Sequence, residues 1–291
     1  RSAEGTLLYA GNASASGAEV TPGLRKDLTA PVVFPGMLAD HGASLRSAVD
    51  RGLAGFDLDM ELSAGSRDGV FSFSSREKTV LEAASGLRLV ISPLQVGPWL
   101  AIRGAERKVS GNISLSGGGA PNLTLSLDQV QQGESGLDIR SHDLKLSPWS
   151  AGGKVLSADL ETFSLSSAPE AFDLLSRGRL SLSGPVSGIN LKTTDFSGGF
   201  HVTRDDAGWQ VVPDGTKCVS VRSRGFVFGS IQAEPVNLTV CPSGGGFIRK
   251  AGKFPSGAVT LGAVELPFST GSTSGALKLS KASVDWSSDG G

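Results

Sequence analysis

The sequence predicts an all-β protein built from antiparallel strands. Three observations predict it. Apolar and polar residues alternate with period two over most of the chain, which in a strand sends the apolar side chains to one face and Ser, Thr, Lys or Asp to the other. Glycine-rich turn signals separate these stretches at intervals of about 8–15 residues, the spacing of a meander. Helical periodicity is scarce, and two short helices cannot cover the apolar faces of so many strands. Those faces must meet each other in a sandwich or closed barrel, or curl around a groove filled by something else.

From the N-terminus, residues 12–35 are irregular and read as a capping or loop region. His41 to Leu53 predicts a short helix centred on 43–53, because Leu45, Val49 and Leu53 recur every fourth residue. Asp57, Asp59 and Glu61 then alternate with Leu58, Met60 and Leu62, which gives a strand with a solvated acidic face. Clear strands follow at 112–116, 122–127, 137–140, 143–146, 155–160 and 163–166. A second short helix is expected over 169–177, with Pro169 at a first helical position and Gly178 as its cap. Alternation resumes at 179–183, 258–261, 264–266 and 276–280. Gly117–Gly118–Gly119, Gly152–Gly153, Gly184–Pro185, Gly198–Gly199, Pro213–Asp214–Gly215 and Gly244–Gly245–Gly246 are read as turns.

Composition excludes several classes of function. A net charge of −1 with 19% charged residues provides no basic field for nucleic acid or anionic lipid. Three histidines (His41, His142 and His201) and two cysteines are scattered, whereas a structural zinc site needs about four such ligands at close spacing, so no metal is expected. No apolar run approaches the ~18 residues of a membrane span. Only 6% of residues are aromatic, so the apolar faces are aliphatic and suited to an aliphatic neighbour. No leader opens the chain at Arg1, and it closes on Gly290–Gly291; it is read as a segment of a longer protein.

No residue set carries chemistry. Ser141–His142–Asp143 names the three residue types of a catalytic triad, but neighbours in a strand point to opposite faces, so the tripeptide reads as an exposed strand start. The glycine runs lack the Lys-Ser/Thr and the following helix of a phosphate-binding loop. Sequons at Asn12, Asn112, Asn122 and Asn237 are chance products of a Ser/Thr-rich strand protein. No enzyme activity and no cofactor are expected. Cys218 and Cys241 each end a strand-like stretch, with another, 226–231, between them. They predict one disulfide stapling neighbouring strands, and hence an oxidising compartment.

Residues 184–286 resemble the C-terminal half of the YdbH family, relatives of the TamB and AsmA proteins of Gram-negative envelopes. The resemblance is carried by Gly208–Trp209, Cys218–Val219–Ser220–Val221, Gly225–Phe226–Val227–Phe228–Gly229 and Leu238–Thr239–Val240–Cys241–Pro242 with Gly244–Gly245. It continues through 262–266 and the closing strand at 282–286. Residues 1–183 resemble the family through alternation and composition alone. The resemblance implies a periplasmic protein anchored in the inner membrane by a helix outside this segment. It implies a rolled sheet whose aliphatic groove passes phospholipids towards the outer membrane, with a partner protein there.

On that footing the expected fold is an elongated, twisted sheet over 1–291, curled into an open hydrophobic groove like a taco. Its expected lining comprises Ile113, Leu115, Leu123, Leu125, Leu127, Leu144, Leu146, Leu180, Leu182, Leu277 and Leu279. The competing expectation is a structural or adhesive β-protein, a sandwich or solenoid, that binds a protein or glycan.

Overall fold

The structure is a computed structural model that describes residues 8–29, 38–67, 69–75, 77–93, 99–104, 106–133, 136–168, 171–186, 188–205, 208–215, 218–243, 246–250 and 256–286. Among these residues, 22 strands and two helices form an all-β fold, and its strand pairings are antiparallel. The chain divides into two compact units, Arg1–Gly152 and Gly153–Gly291.

The first unit opens with β1 (Leu8–Ala18), α1 (Pro22–Thr29) and α2 (Ala39–Leu53). Strands β2 (Phe56–Arg67), β3 (Val70–Ser74), β4 (Thr79–Ala83), β5 (Arg88–Ser92) and β6 (Leu100–Arg103) follow. Three long strands complete it: β7 (Glu106–Ser116), β8 (Leu123–Gly133) and β9 (Gly136–Ala151). One end of β2 pairs with β4 and the other with β3; β4 pairs with β5, and β3 with β6. Both β5 and β6 then pair with β7, so two positions in this sheet are filled by short strands laid end to end.

The expected helix at 43–53 is α2. Its buried residues are His41, Gly42, Ala48 and Gly52. Small side chains let the helix approach closely: a Cβ on Gly52 would lie 2.2 Å from Leu87 Cδ2. The irregular stretch at 12–35 contains most of β1 and all of α1. These were hidden because β1 alternates small residues rather than large apolar ones, and α1 is only eight residues long. Pro22 stands at its first helical position.

The second unit contains β10 (Lys154–Ser167), β11 (Phe172–Val186), β12 (Ile189–Asp205), β13 (Gly208–Pro213), β14 (Val219–Ser223), β15 (Phe226–Phe228) and β16 (Ile231–Ala233). It continues with β17 (Val236–Pro242), β18 (Ile248–Lys250), β19 (Gly257–Leu261), β20 (Val264–Thr270), β21 (Thr273–Leu279) and β22 (Ala282–Trp286). One long strand, β12, pairs in turn with β15, β14 and β13. Their own partners are β16, β17 and β18.

Two sequence expectations need correction here. The helix expected over 169–177 is not present from Phe172 onward, where β11 runs; Pro169 and Glu170 lie outside the described residues. Pairing with both β10 and β12 gives β11 two ladders of hydrogen bonds, which override its local helical preference. Gly184–Pro185 and Gly198–Gly199 are not turns either but lie inside β11 and β12. Gly184 follows a break in register after Leu182, and Gly178 pairs with Gly198 beside a break in β10 between Leu160 and Thr162. These glycines bend long strands and allow close approach of neighbouring backbone, the usual role of glycine inside a strand.

Candidate functional site

The register of the first unit aligns apolar residues into transverse rows. One row runs Ala15–Leu58–Leu81–Leu89–Leu115–Leu123–Leu146 across β1, β2, β4, β5, β7, β8 and β9. A second runs Thr79–Ile91–Ile113–Leu125, with Leu144 beyond a bulge in β9. The leucines and isoleucines of both rows are half-buried. Leu115 and Leu123 have strand neighbours on both sides, so a second layer over them would seal them; they keep part of their surface exposed. Among the described residues the only large side chain that is fully buried is His41.

α2 sits at one end of this sheet. Leu87 is buried beneath Gly52, and Arg51 Nη2 donates to Gly118 O at 3.0 Å. His41 Nε2 lies 3.2 Å from Trp149 O, with its ring edge-on to the indole at 4.9 Å. Trp149 reaches the helix because the burial alternation of β9 slips: Ser147 and Pro148 are both exposed before it. The run Gly117–Gly118–Gly119 is the turn the sequence predicts. It packs so tightly that a Cβ on Gly117 would lie 2.1 Å from Gly86 O.

In the second unit, the row Leu156–Leu182–Thr194–Ser223–Val236 is buried throughout. Its two hydroxyls satisfy each other at 2.9 Å, and Ser223 Oγ also donates to Gly225 O at 3.1 Å. The adjacent row Ala158–Leu180–Phe196–Val221–Leu238 is only half-buried. On the opposite face, Asp195 accepts from Arg179 and Ser181, while Arg222 Nε donates to Asn237 at 3.1 Å. The Arg179 hydrogen bond, helped by Ser181 and by the nearby Arg222 charge, holds the Asp195 carboxyl below its ordinary value against the opposing effect of burial.

The residues expected to line a groove therefore separate. Ile113, Leu115, Leu123, Leu125, Leu144 and Leu146 share the half-buried aliphatic face of the first unit, and Leu180 lies on a comparable row of the second. Leu127 and Leu182 are core residues at 6% exposure each. Leu277 is 48% exposed opposite Leu266, and Leu279 is half-buried opposite Val264. The sequence pattern missed the contribution of Leu58, Leu81 and Leu89, which lie in shorter or more acidic stretches.

Cys218 and Cys241 form a disulfide, with their Cα atoms 4.1 Å apart and Val219 paired with Val240 beside them. It staples β14 to β17, as the sequence predicts, and fits an oxidising compartment. Among the described residues no helix is long and apolar enough to cross a membrane, and no group of three His, Cys, Asp or Glu side chains is placed to hold a metal ion.

Ser141–His142–Asp143 is not an exposed strand start. It lies within β9 at a bulge where Asp143 has φ +52°, and Ser141 is buried. The bulge brings His142 and Asp143 together on the polar face; His142 lies 2.9 Å from Asp128 and 3.9 Å from Asp143. Among the described residues Ser141 Oγ meets only the His142 carbonyl, so the three residues form no relay. Asp57 and Asp59 are exposed and Glu61 is half-buried, with Asp57 accepting from Gly17 N at 2.8 Å. The polar face of β5, β7, β8 and β9 also carries an open depression of about 400 Å³.

Compared with protein-family models, curated proteins and solved structures, the chain matches none.

Proposed function

We propose that the aliphatic faces of this chain shield the acyl tails of phospholipids, as part of an envelope protein that carries lipid across the periplasm towards the outer membrane. The observation that carries the reading is the half-burial of mid-sheet leucines such as Leu115 and Leu123. Fully burying a leucine is worth about 1.5–3 kcal/mol, so a row of partly wet leucines favours an apolar occupant. The rows contain Leu, Ile, Ala and Thr and no charge, which suits hydrocarbon and gives little hold on a polar ligand. Similar side chains recur from strand to strand, so a tail can shift along the face without meeting a steep change in affinity. Headgroups remain in water. No side chain performs chemistry in this role, and no cofactor takes part.

The resemblance of residues 184–286 to the YdbH family supports the same reading, and the disulfide suits the periplasm. An inner-membrane anchor and an outer-membrane partner belong to the proposal as parts outside this segment.

Photo-crosslinking in intact cells tests it. A photoreactive residue at Leu115 should yield phospholipid adducts, while one at the exposed Glu82, which follows Leu81 on β4 and faces the opposite way, should yield few. Equal labelling at both positions, or adducts at Leu115 that contain only protein, overturns the proposal.

A further inference from the structure

The depression on the polar face of the first unit belongs to none of the aliphatic rows. Its walls are two transverse rows read from the register. Val90, Ser114, Thr124 and Lys145 form one, and Ser92, Asn112 and Ser126 the other. Ile113 and Leu125 border it where the backbone passes, their side chains leaving on the other face. Val90, at 9% exposure, gives it a small apolar floor. Asp143 stands at its end because the left-handed conformation in β9 pushes an extra residue onto this face.

We propose that this depression binds a small zwitterion in which a phosphate ester is joined to a short amino alcohol. Lys145 is exposed and has no partner among the described residues, so its ammonium is free to meet an oxyanion. Ser114 and Thr124, in the same row, add hydroxyl donors to such a group. Asp143 lies two residues from Lys145 with its side chain 70% exposed; its one ion-pair neighbour among the described residues, His142, is 3.9 Å away. A lone anion would be repelled by Asp143 and a lone cation by Lys145. A ligand that carries both charges on a short tether satisfies both. Ser126 Oγ donates to Asn112 Oδ1 at 2.8 Å, which leaves the Asn112 amide hydrogens for the ester oxygens. Among the described residues no aromatic ring lines the depression, so they offer no stacking platform to a nucleobase or a sugar ring. Because the site faces away from the aliphatic rows, a lipid whose tails lie on those rows cannot fill it; the zwitterion comes from solution or from a separate lipid surface.

The test titrates the full chain with phosphoethanolamine and follows the backbone amides of Ser114, Thr124 and Lys145 by NMR. The expected result is saturable shifts at these positions, with weaker binding of ethanolamine and of inorganic phosphate. Lys145→Ala should weaken phosphoethanolamine by about tenfold, the loss of one charge-assisted hydrogen bond. Asp143→Asn should weaken phosphoethanolamine while leaving inorganic phosphate bound as well or better. Both residues are exposed, so both variants should fold. Phosphatidylethanolamine vesicles that compete for the site assign its source to a membrane, and vesicles that do not compete assign it to solution. Absence of shifts at millimolar phosphoethanolamine, or equal affinity for inorganic phosphate, overturns the proposal.

Discussion

Gly178 of β11 lies directly opposite Gly198 of β12, and both occupy positive φ, at +145° and +151°. The pair sits where β10 breaks register, and it lets three long strands bend together. A Cβ on Gly178 would lie 2.3 Å from Asp159 O, and one on Gly198 would lie 3.0 Å from Val219 Cγ1. Gly178→Ala therefore combines backbone strain with a clash against main chain, which has no freedom to move aside. It should cost about 1–3 kcal/mol. Gly198→Ala carries the same backbone strain, but its tightest contact is the Val219 side chain, which can shift, so it should cost less. Urea unfolding midpoints, with unchanged slopes, check the order.

Leu125 and Leu182 look alike in the sequence and differ in the fold. Leu125 is half-buried on an aliphatic face, whereas Leu182 is sealed against Leu156. Leu182→Ala should cost about 2–5 kcal/mol, and Leu182→Asp should prevent folding. Leu125→Asp should leave a folded protein that retains less co-purifying phospholipid. Circular dichroism and lipid extraction from the same preparations separate the two outcomes. A folded Leu125→Asp variant with its full lipid complement contradicts the shielding role.

The Cys218–Cys241 bond closes a loop with a sequence separation of 23. In the chain-entropy model such a loop stabilises by roughly 3 kcal/mol. Cys218→Ser, or reduction of the wild-type protein, should lower the melting temperature without removing bound lipid, because neither cysteine lies on the half-buried rows. Intact mass under non-reducing conditions should count no free thiol.

Acid should weaken the second unit through Asp195. Its carboxyl is held below its ordinary value chiefly by the Arg179 hydrogen bond, so the folded state binds its proton less readily than the unfolded chain does. The stabilisation is therefore complete above the ordinary carboxylate pKa of about 4, and it is lost as pH falls through the lowered folded value. Asp195→Asn should be less stable than wild type at neutral pH and should show a flatter decline below about pH 4. Melting temperatures measured across that range decide it.

Much of this architecture was legible in the alternation of apolar and polar residues. Ile113, Leu115, Leu123 and Leu125 lie on one face because period two fixes them there. What the pattern could not supply was the length of the strands. Stretches 137–140 and 143–146 form one strand, β9, and 155–160 and 163–166 form another, β10. Each break in alternation is a bulge rather than a turn, and both features use the same residues. Gly198–Gly199 satisfies the local criteria for a turn, and only pairing with β11 decides otherwise. The segment from Phe172 failed for the same reason: Leu174 and Leu175 suit a helix, but ladders on both sides hold them extended. Burial was less legible still. Nothing local distinguishes Leu180 from Leu182, because the row that seals Leu182 is assembled from residues far away in the chain.

Where β3 and β4 meet β2, each holds its own register on a separate stretch of that strand. Extra residues inserted between them would leave both ladders in place. The connection between the two short strands can thus grow or shrink without the wholesale re-threading that a continuous strand would demand.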